Sequence, residues 1–129
     1  MRLRKLTSMV NETRQILPSP RRGEIWTAYL GESRQRHWVL IVSTDPRNLS
    51  DRAETVLTVP FASRIAEAPT TIVLQPGETG LPGPSCLRGH FITTLPKKLL
   101  IQRQPRSLSG RRMREVCALI RRSYDPDAP

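Results

Sequence analysis

The chain has 129 residues and a formal net charge of +10, from 21 Lys plus Arg against 11 Asp plus Glu, which makes one domain able to bury roughly two thirds of its unfolded surface in a single core. Eighteen of the cations are Arg and three are Lys, a bias toward planar, forked recognition of phosphate that puts nucleic acid ahead of an acidic protein or an anionic membrane as partner. No run approaches the ~20 apolar residues of a membrane span, the first residues lack a signal-peptide core, and Cys86 and Cys117 read as small buried thiols; a cytoplasmic protein with no membrane partner is expected.

In chain order, Leu6, Met9, Val10, Ile16 and Leu17 keep to one side of a 3.6-residue period, which allows a short amphipathic helix from Lys5 to Leu17 before Pro18. Residues 1–20 are therefore read as an N-terminal extension, helical or mobile, and residues 125–129 as a disordered tail. Between them, residues 21–124 carry the domain. Glu24 to Leu30 has strand composition. After a polar loop comes Arg36-His37-Trp38-Val39-Leu40-Ile41-Val42, whose five apolar residues from Trp38 to Val42 predict a strand buried on both faces. Arg34, Arg36 and His37 stand at the mouth of that strand, where fixed cations and an imidazole could hold and work on a polyanion.

Asp45-Pro46-Arg47-Asn48 is turn chemistry. Thr55 to Pro60 predicts a third strand, followed by a contact-rich loop, Phe61-Ala62-Ser63-Arg64, and Thr70 to Leu74 a fourth. Gln75 to Pro84 is a long turn-rich connection. Ser85 to Thr94 resumes strand character, with Arg88 and His90 two residues apart and so on one side, and with Phe91, like Trp38, more readily a core residue than a base-stacking one. Leu99 to Gln102 adds a short edge strand. Ser109 is positioned to cap a final helix whose apolar face is Met113, Val116, Cys117 and Ile120. The pattern is β-rich α+β: a small antiparallel barrel with a C-terminal helix packed on it.

The sequence holds no Cys/His cluster at metal-ligand spacing, no phosphate-binding Gly-rich loop and no acidic pair in a two-metal arrangement, so no metal and no cofactor are expected. Two histidines, Ser63 and several arginines remain. They are adequate parts for cutting RNA, in which the substrate's own 2′-hydroxyl attacks the neighbouring phosphate and a base, an acid and a cation suffice.

Arg22-Gly23-Glu24-Ile25-Trp26, Val39-Leu40-Ile41-Val42-Ser43-Thr44-Asp45, Val59-Pro60-Phe61-Ala62-Ser63, Gly80-Leu81-Pro82-Gly83-Pro84-Ser85 and Leu108-Ser109 resemble, in order, the successive landmarks of the MazF/PemK (Kid) toxin family of type II toxin–antitoxin systems. The resemblance covers about Arg21 to Tyr124. It implies an SH3-like barrel with a C-terminal helix, a homodimer, a metal-independent endoribonuclease (mRNA interferase) acting on single-stranded RNA, and a cognate antitoxin whose acidic tail lies over the RNA groove.

Several functional positions depart from the family pattern. His37-Trp38 stand where the family has Arg-Pro, leaving Arg36 one residue earlier. Ala62-Ser63 stand where it has two hydroxyl residues, and Arg88-Gly89-His90 keeps the arginine of an Arg-x-Asp but replaces its aspartate. Two readings follow. In one the site is rewired: His37 and His90 form an acid/base pair, Arg36 and Arg88 bind the scissile phosphate, and Ser63 adds a hydrogen bond. In the other the domain binds RNA or antitoxin without cleaving. The rewired site is favoured because both histidines fall on aligned catalytic positions. The RNA-binding set is expected to comprise Arg34, Arg36, Arg47, Phe61, Ser63, Arg64 and Arg88. A gyrase-poisoning mode, as in the similarly folded CcdB-like toxins, is the outsider because Tyr124 to Pro129 offers no terminal aromatic.

Overall fold

The computed structural model describes residues 17–32 and 35–129; the helix expected over Lys5 to Leu17 falls almost wholly outside them, and Arg34 does too. Among the described residues seven strands make one curled antiparallel sheet: β1 (Glu24–Tyr29), β2 (Arg36–Ile41), β3 (Thr55–Ala62), β4 (Thr71–Leu74), β5 (Ser85–Arg88), β6 (Thr93–Pro96) and β7 (Leu100–Ser107). Their order is β4-β5-β3-β2-β1-β7, with β6 also paired to β3. The expected small antiparallel barrel with a C-terminal helix is borne out, although the hydrogen-bonded path is not closed and β4 and β7 stand at its ends. Among the described residues no helix is long and apolar enough to cross a membrane.

The strand from Arg36 is covered on both faces, which is why its sequence shows no polar alternation. Leu40 joins Ile25, Val59, Leu87, Met113 and Val116 in one buried cluster. Its neighbours Val39 and Ile41 point the other way, into a second cluster with Ala28, Val56, Leu95 and Leu100. The first cluster is closed by the last helix, α3 (Gly110–Tyr124), which begins where the Ser109 hydroxyl accepts a hydrogen bond from the Arg112 amide at 3.2 Å. Met113, Val116 and Leu119 are its buried residues, each stabilising the fold by about 1.5–3 kcal/mol.

A polar latch holds β1 against the far end of β2. The Arg22 amide donates to Asp45 Oδ1 at 2.7 Å, and the Arg22 guanidinium donates to the Val42 carbonyl at 2.5 Å and to Cys117 Sγ at 2.8 Å. Asn48 is fully buried and donates to Asp45 and to the Ser43 carbonyl, while the Ser43 hydroxyl accepts from the Leu57 amide at 3.0 Å. Among the described residues every buried side-chain nitrogen and oxygen has a hydrogen-bond partner, as burial requires. Cys86 and Cys117 are both free thiols, Cys86 buried and Cys117 half-buried.

Asp45–Asn48, read as turn chemistry, is a helical turn, α1. The structure corrects the expected strands in three places. The short edge strand at Leu99 is longer, Leu100–Ser107, and tolerates Pro105 because it pairs only with β1. The continuous strand over Ser85 to Thr94 does not exist. β5 ends at Arg88, a 3₁₀ turn occupies Gly89–Phe91, and β6 starts at Thr93. The break has two physical causes: the Gly89 amide donates to the Thr70 carbonyl at 2.7 Å, and Gly89 is pressed against the backbone of α3 at Leu119 and Ile120. Pro60, expected to end β3, lies inside it, in the gap between the β6 pairing that ends at Thr58 and the β5 pairing that begins at Phe61.

One further helical turn, α2 (Pro76–Thr79), is tied to α3 by charge. Glu78 accepts from Arg112 Nε at 2.6 Å, and Arg112 also donates to Glu115 at 2.7 Å. The Arg112 hydrogen bond, seconded by the Gln75 amide, holds the Glu78 carboxyl below its usual range. A depressed folded value stabilises above the ordinary carboxylate pKa, and that contribution disappears as pH falls through the folded value. Glu78→Gln is therefore expected to cost about 0.5–1 kcal/mol near neutral pH. The difference should vanish in acid, which paired thermal melts would check; an equal deficit at both pH values would refute the linkage.

Candidate nucleic-acid cleft

The first residues of β2 and the last residues of β3 lie side by side because the hairpin between them is antiparallel, with Val39 opposite Pro60. Arg36, His37 and Trp38 from one strand and Phe61, Ala62 and Ser63 from the other line an open cleft of about 330 Å³, walled by Leu81, Pro82, Gly83, Pro84 and Ser85. Among the described residues its lining holds one guanidinium, one imidazole and two hydroxyls, and no carboxylate. Trp38 and Phe61 also pack against the helix-backed cluster, so the cleft rests on the core. Arg36 and Ser63 are exposed, whereas His37 is half-buried opposite the fully buried Ala28.

The wall is fixed by its own hydrogen bonds. Gly80 ends α2 in the left-handed conformation, φ 76°, and a side chain there would also run into Gln104. Buried Gln104 donates to the Thr79 carbonyl at 2.6 Å, and the Thr79 hydroxyl accepts from the Leu81 amide at 3.0 Å. Sequence reasoning treated this stretch as a connection. Its Gly/Pro density signals a shaped loop but not that the loop faces a cleft.

The other candidate residues divide into two places. Arg88, His90 and Phe91 form a separate group at the end of β5. His90 Nδ1 is 2.8 Å from the Thr70 hydroxyl, its ring meets Phe91 edge-on at 4.5 Å between centroids, and the Arg88 guanidinium lies over the Phe91 ring at 5.5 Å. Arg88 also donates to the carbonyl of Arg64 at 3.2 Å, which joins this group to the residue after Ser63. His90 is exposed and is not among the residues lining the cleft. Phe91, expected in a core, is 48% exposed. Its strand is interrupted by the 3₁₀ turn, which turns the ring away from the sheet's packed faces.

Arg47 lies in α1, in the connection at the opposite end of the β2–β3 hairpin, and donates to the Thr55 hydroxyl at 2.7 Å. The structure does not bring it to the cleft. Arg64 is exposed beside Ser63, and among the described residues neither it nor Arg36 is paired with a carboxylate. Two contributors escaped sequence reasoning. Thr70 has no sequence signal as a histidine partner. Gly89 had one, since glycine inside a strand pattern marks a close backbone approach.

The sequence profile of a family described as "PemK-like, MazF-like toxin of type II toxin-antitoxin system" matches residues 21–124. Comparison with curated protein sequences returns no match. Among solved structures, an endoribonuclease in complex with its cognate antitoxin, from a mycobacterial species, superposes with a TM-score of 0.71 at 23% identity, covering 85% of this chain and 99% of that one. A second mycobacterial endoribonuclease gives 0.72 at 20% identity, covering 89% and 100%. The Mycobacterium tuberculosis toxin MazF-mt6 gives 0.69 at 19% identity, covering 81% and 98%. At these identities the likeness is one of fold.

Proposed function

Because the chain belongs to the PemK-like, MazF-like toxin family of type II toxin–antitoxin systems, we propose that it is a metal-independent endoribonuclease that cleaves single-stranded RNA in the cleft between β2 and β3. The observation that carries this reading is the convergence of Arg36, His37 and Ser63 on one cleft, with no carboxylate among its described lining residues, in a strongly cationic chain. The reaction needs no nucleophile from the protein. The 2′-oxygen bonds to the adjacent phosphorus as its proton passes to His37. The bond from phosphorus to the 5′-oxygen breaks, and that oxygen takes a proton from water in the open cleft. The products are a 2′,3′-cyclic phosphate and a 5′-hydroxyl.

Arg36 neutralises the charge that builds on the phosphoryl oxygens, Arg88 adds a second cation from the neighbouring group, and Ser63 donates a hydrogen bond. His90, held on Thr70 outside the cleft lining, is assigned to the flank of the substrate rather than to proton transfer. The protein acts in the cytoplasm as a homodimer, and a cognate antitoxin with an acidic tail neutralises it by competing for the cationic cleft. That partner fits the charge of +10, and a solved structure of this fold is described as an endoribonuclease with its cognate antitoxin.

Incubation of the purified protein with a mixed-sequence RNA in excess chelator tests the reading. Cleavage leaving 2′,3′-cyclic phosphate ends is expected. RNA binding without cleavage would instead favour a binding module of the same fold.

A further inference from the structure

The group at the end of β5 has features that the cleavage chemistry does not use. Phe91 is a large aromatic side chain left 48% exposed, on a turn whose backbone is clamped from two sides. The Gly89 amide is bonded to the carbonyl of Thr70, the residue before β4, and Gly89 lies against the backbone of α3. The ring itself is set by its neighbours, with the His90 ring centroid 4.5 Å from its own at an interplanar angle of 63° and the Arg88 guanidinium at 5.5 Å from its centroid. His90 is in turn held by Thr70 through Nδ1, which leaves Nε2 for an outside group. Ile92, 39% exposed, extends the apolar surface.

This is a rigid, cation-flanked aromatic platform, and it is continuous with the cleft. Leu87, the residue before Arg88, is the register partner of cleft-lining Phe61 on the neighbouring strand, about 5 Å away. Arg88 reaches back to the carbonyl of Arg64, next to Ser63. We propose that Phe91, with Arg88 and His90, is a nucleobase-binding subsite that stacks one unpaired base of the RNA flanking the scissile phosphate. The inference rests on the endoribonuclease reading and extends it to the recognition of substrate.

An aromatic face accepts any base, and Arg88 supplies both cation–π support and a phosphate contact. His90 Nε2 can meet a polar edge of the stacked base, so the subsite carries a measure of base choice as well as affinity. An acidic peptide would be served by Arg88 alone and gives no reason for an exposed ring locked in orientation.

The test uses a chemically uncleavable 2′-deoxy-substituted oligonucleotide and fluorescence anisotropy. Phe91→Ala is expected to weaken binding about tenfold, and Phe91→Trp to restore it. In the unmodified protein, an abasic site at one position flanking the scissile phosphate should cost a similar factor, and in Phe91→Ala the same abasic site should cost almost nothing. That cycle separates stacking from a structural role, because a merely destabilised variant would remain sensitive to the abasic site. Unchanged affinity in Phe91→Ala, or abasic effects that persist in it, would overturn the subsite while leaving the cleft reading in place. Absence of RNA binding by the unmodified protein would overturn the cleft reading itself, and with it the subsite. Loss of affinity for an acidic peptide alone would assign the ring to the antitoxin and refute the proposal.

Discussion

Replacing His37 with alanine is expected to lower the rate of RNA cleavage by about 10²–10⁴-fold, the usual contribution of a positioned general acid or base, while the affinity for uncleavable RNA changes far less. Among the described residues His37 is the one imidazole in the cleft lining, so no second imidazole there can take over the 2′-proton. The loss corresponds to about 3–5 kcal/mol of activation free energy. Folding should be spared, because His37 is only half-buried at the start of β2 and its backbone ladder to β1 is unaffected by the side chain. The open cleft also permits chemical rescue: added imidazole should restore part of the lost activity in His37→Ala and none in Arg36→Ala. His90→Ala gives the contrast, since a flank residue should raise KM and leave kcat nearly intact. If His37→Ala cleaves at the unmodified rate, or if His90→Ala alone abolishes kcat, the assignment of the base is wrong.

That contrast could not be drawn from sequence, where His37 and His90 looked like two halves of one acid/base pair. The pairing rested on both histidines falling on aligned family positions, and it was drawn with Ser85 to Thr94 read as strand throughout. Periodicity cannot reveal that Gly89 meets the backbone of a helix that begins twenty-one residues later. By contrast, the two-faced burial of Trp38 to Val42 was legible because it depends only on residue type, and so was the final helix, whose cap and apolar spacing are local. The cleft was half legible. Arg36, His37, Phe61 and Ser63, all near strand ends in the sequence reading, line it. Arg47 was not distinguished from them, because charge and loop position do not say at which end of a hairpin a residue lies.

The family landmarks have a related limitation. Arg22 and Asp45, two of the most recognisable, serve the latch between the start of β1 and the end of β2, together with Ser43, Asn48 and Cys117. Gly80 to Ser85 shapes the wall of the cleft. These features specify the fold and the existence of a groove, and this chain keeps them. The departures from the family pattern fall at His37 and Ala62 in the cleft lining and at His90 beside it. A fold-level likeness therefore transfers the place of the chemistry with more force than its agents.

Gly89 is where fold and candidate function are joined most tightly, and Gly89→Ala is expected to cost about 2–3 kcal/mol of stability, or roughly 10 °C in Tm. Its φ is not positive, so alanine is conformationally allowed; the obstacle is space. A Cβ there would lie 2.6 Å from the Leu119 carbonyl carbon and 2.7 Å from the Ile120 amide nitrogen. Those are backbone atoms that no rotamer change can move, so either α3 or the 3₁₀ turn must shift. Shifting the turn stretches the bond from the Gly89 amide to Thr70 and displaces Arg88 and Phe91, which flank it. RNA affinity should therefore fall in the same variant, even at temperatures where the protein remains folded. Gly77→Ala is the control, because nothing lies within 4 Å of the added Cβ and alanine is the better helix residue; its melting temperature should be unchanged or slightly raised. Differential scanning calorimetry of the two variants, followed by RNA binding below both transitions, decides the matter. A Gly89→Ala protein that melts with the unmodified chain would show that α3 does not press on this turn, and the rigid seat argued for Arg88, His90 and Phe91 would be lost.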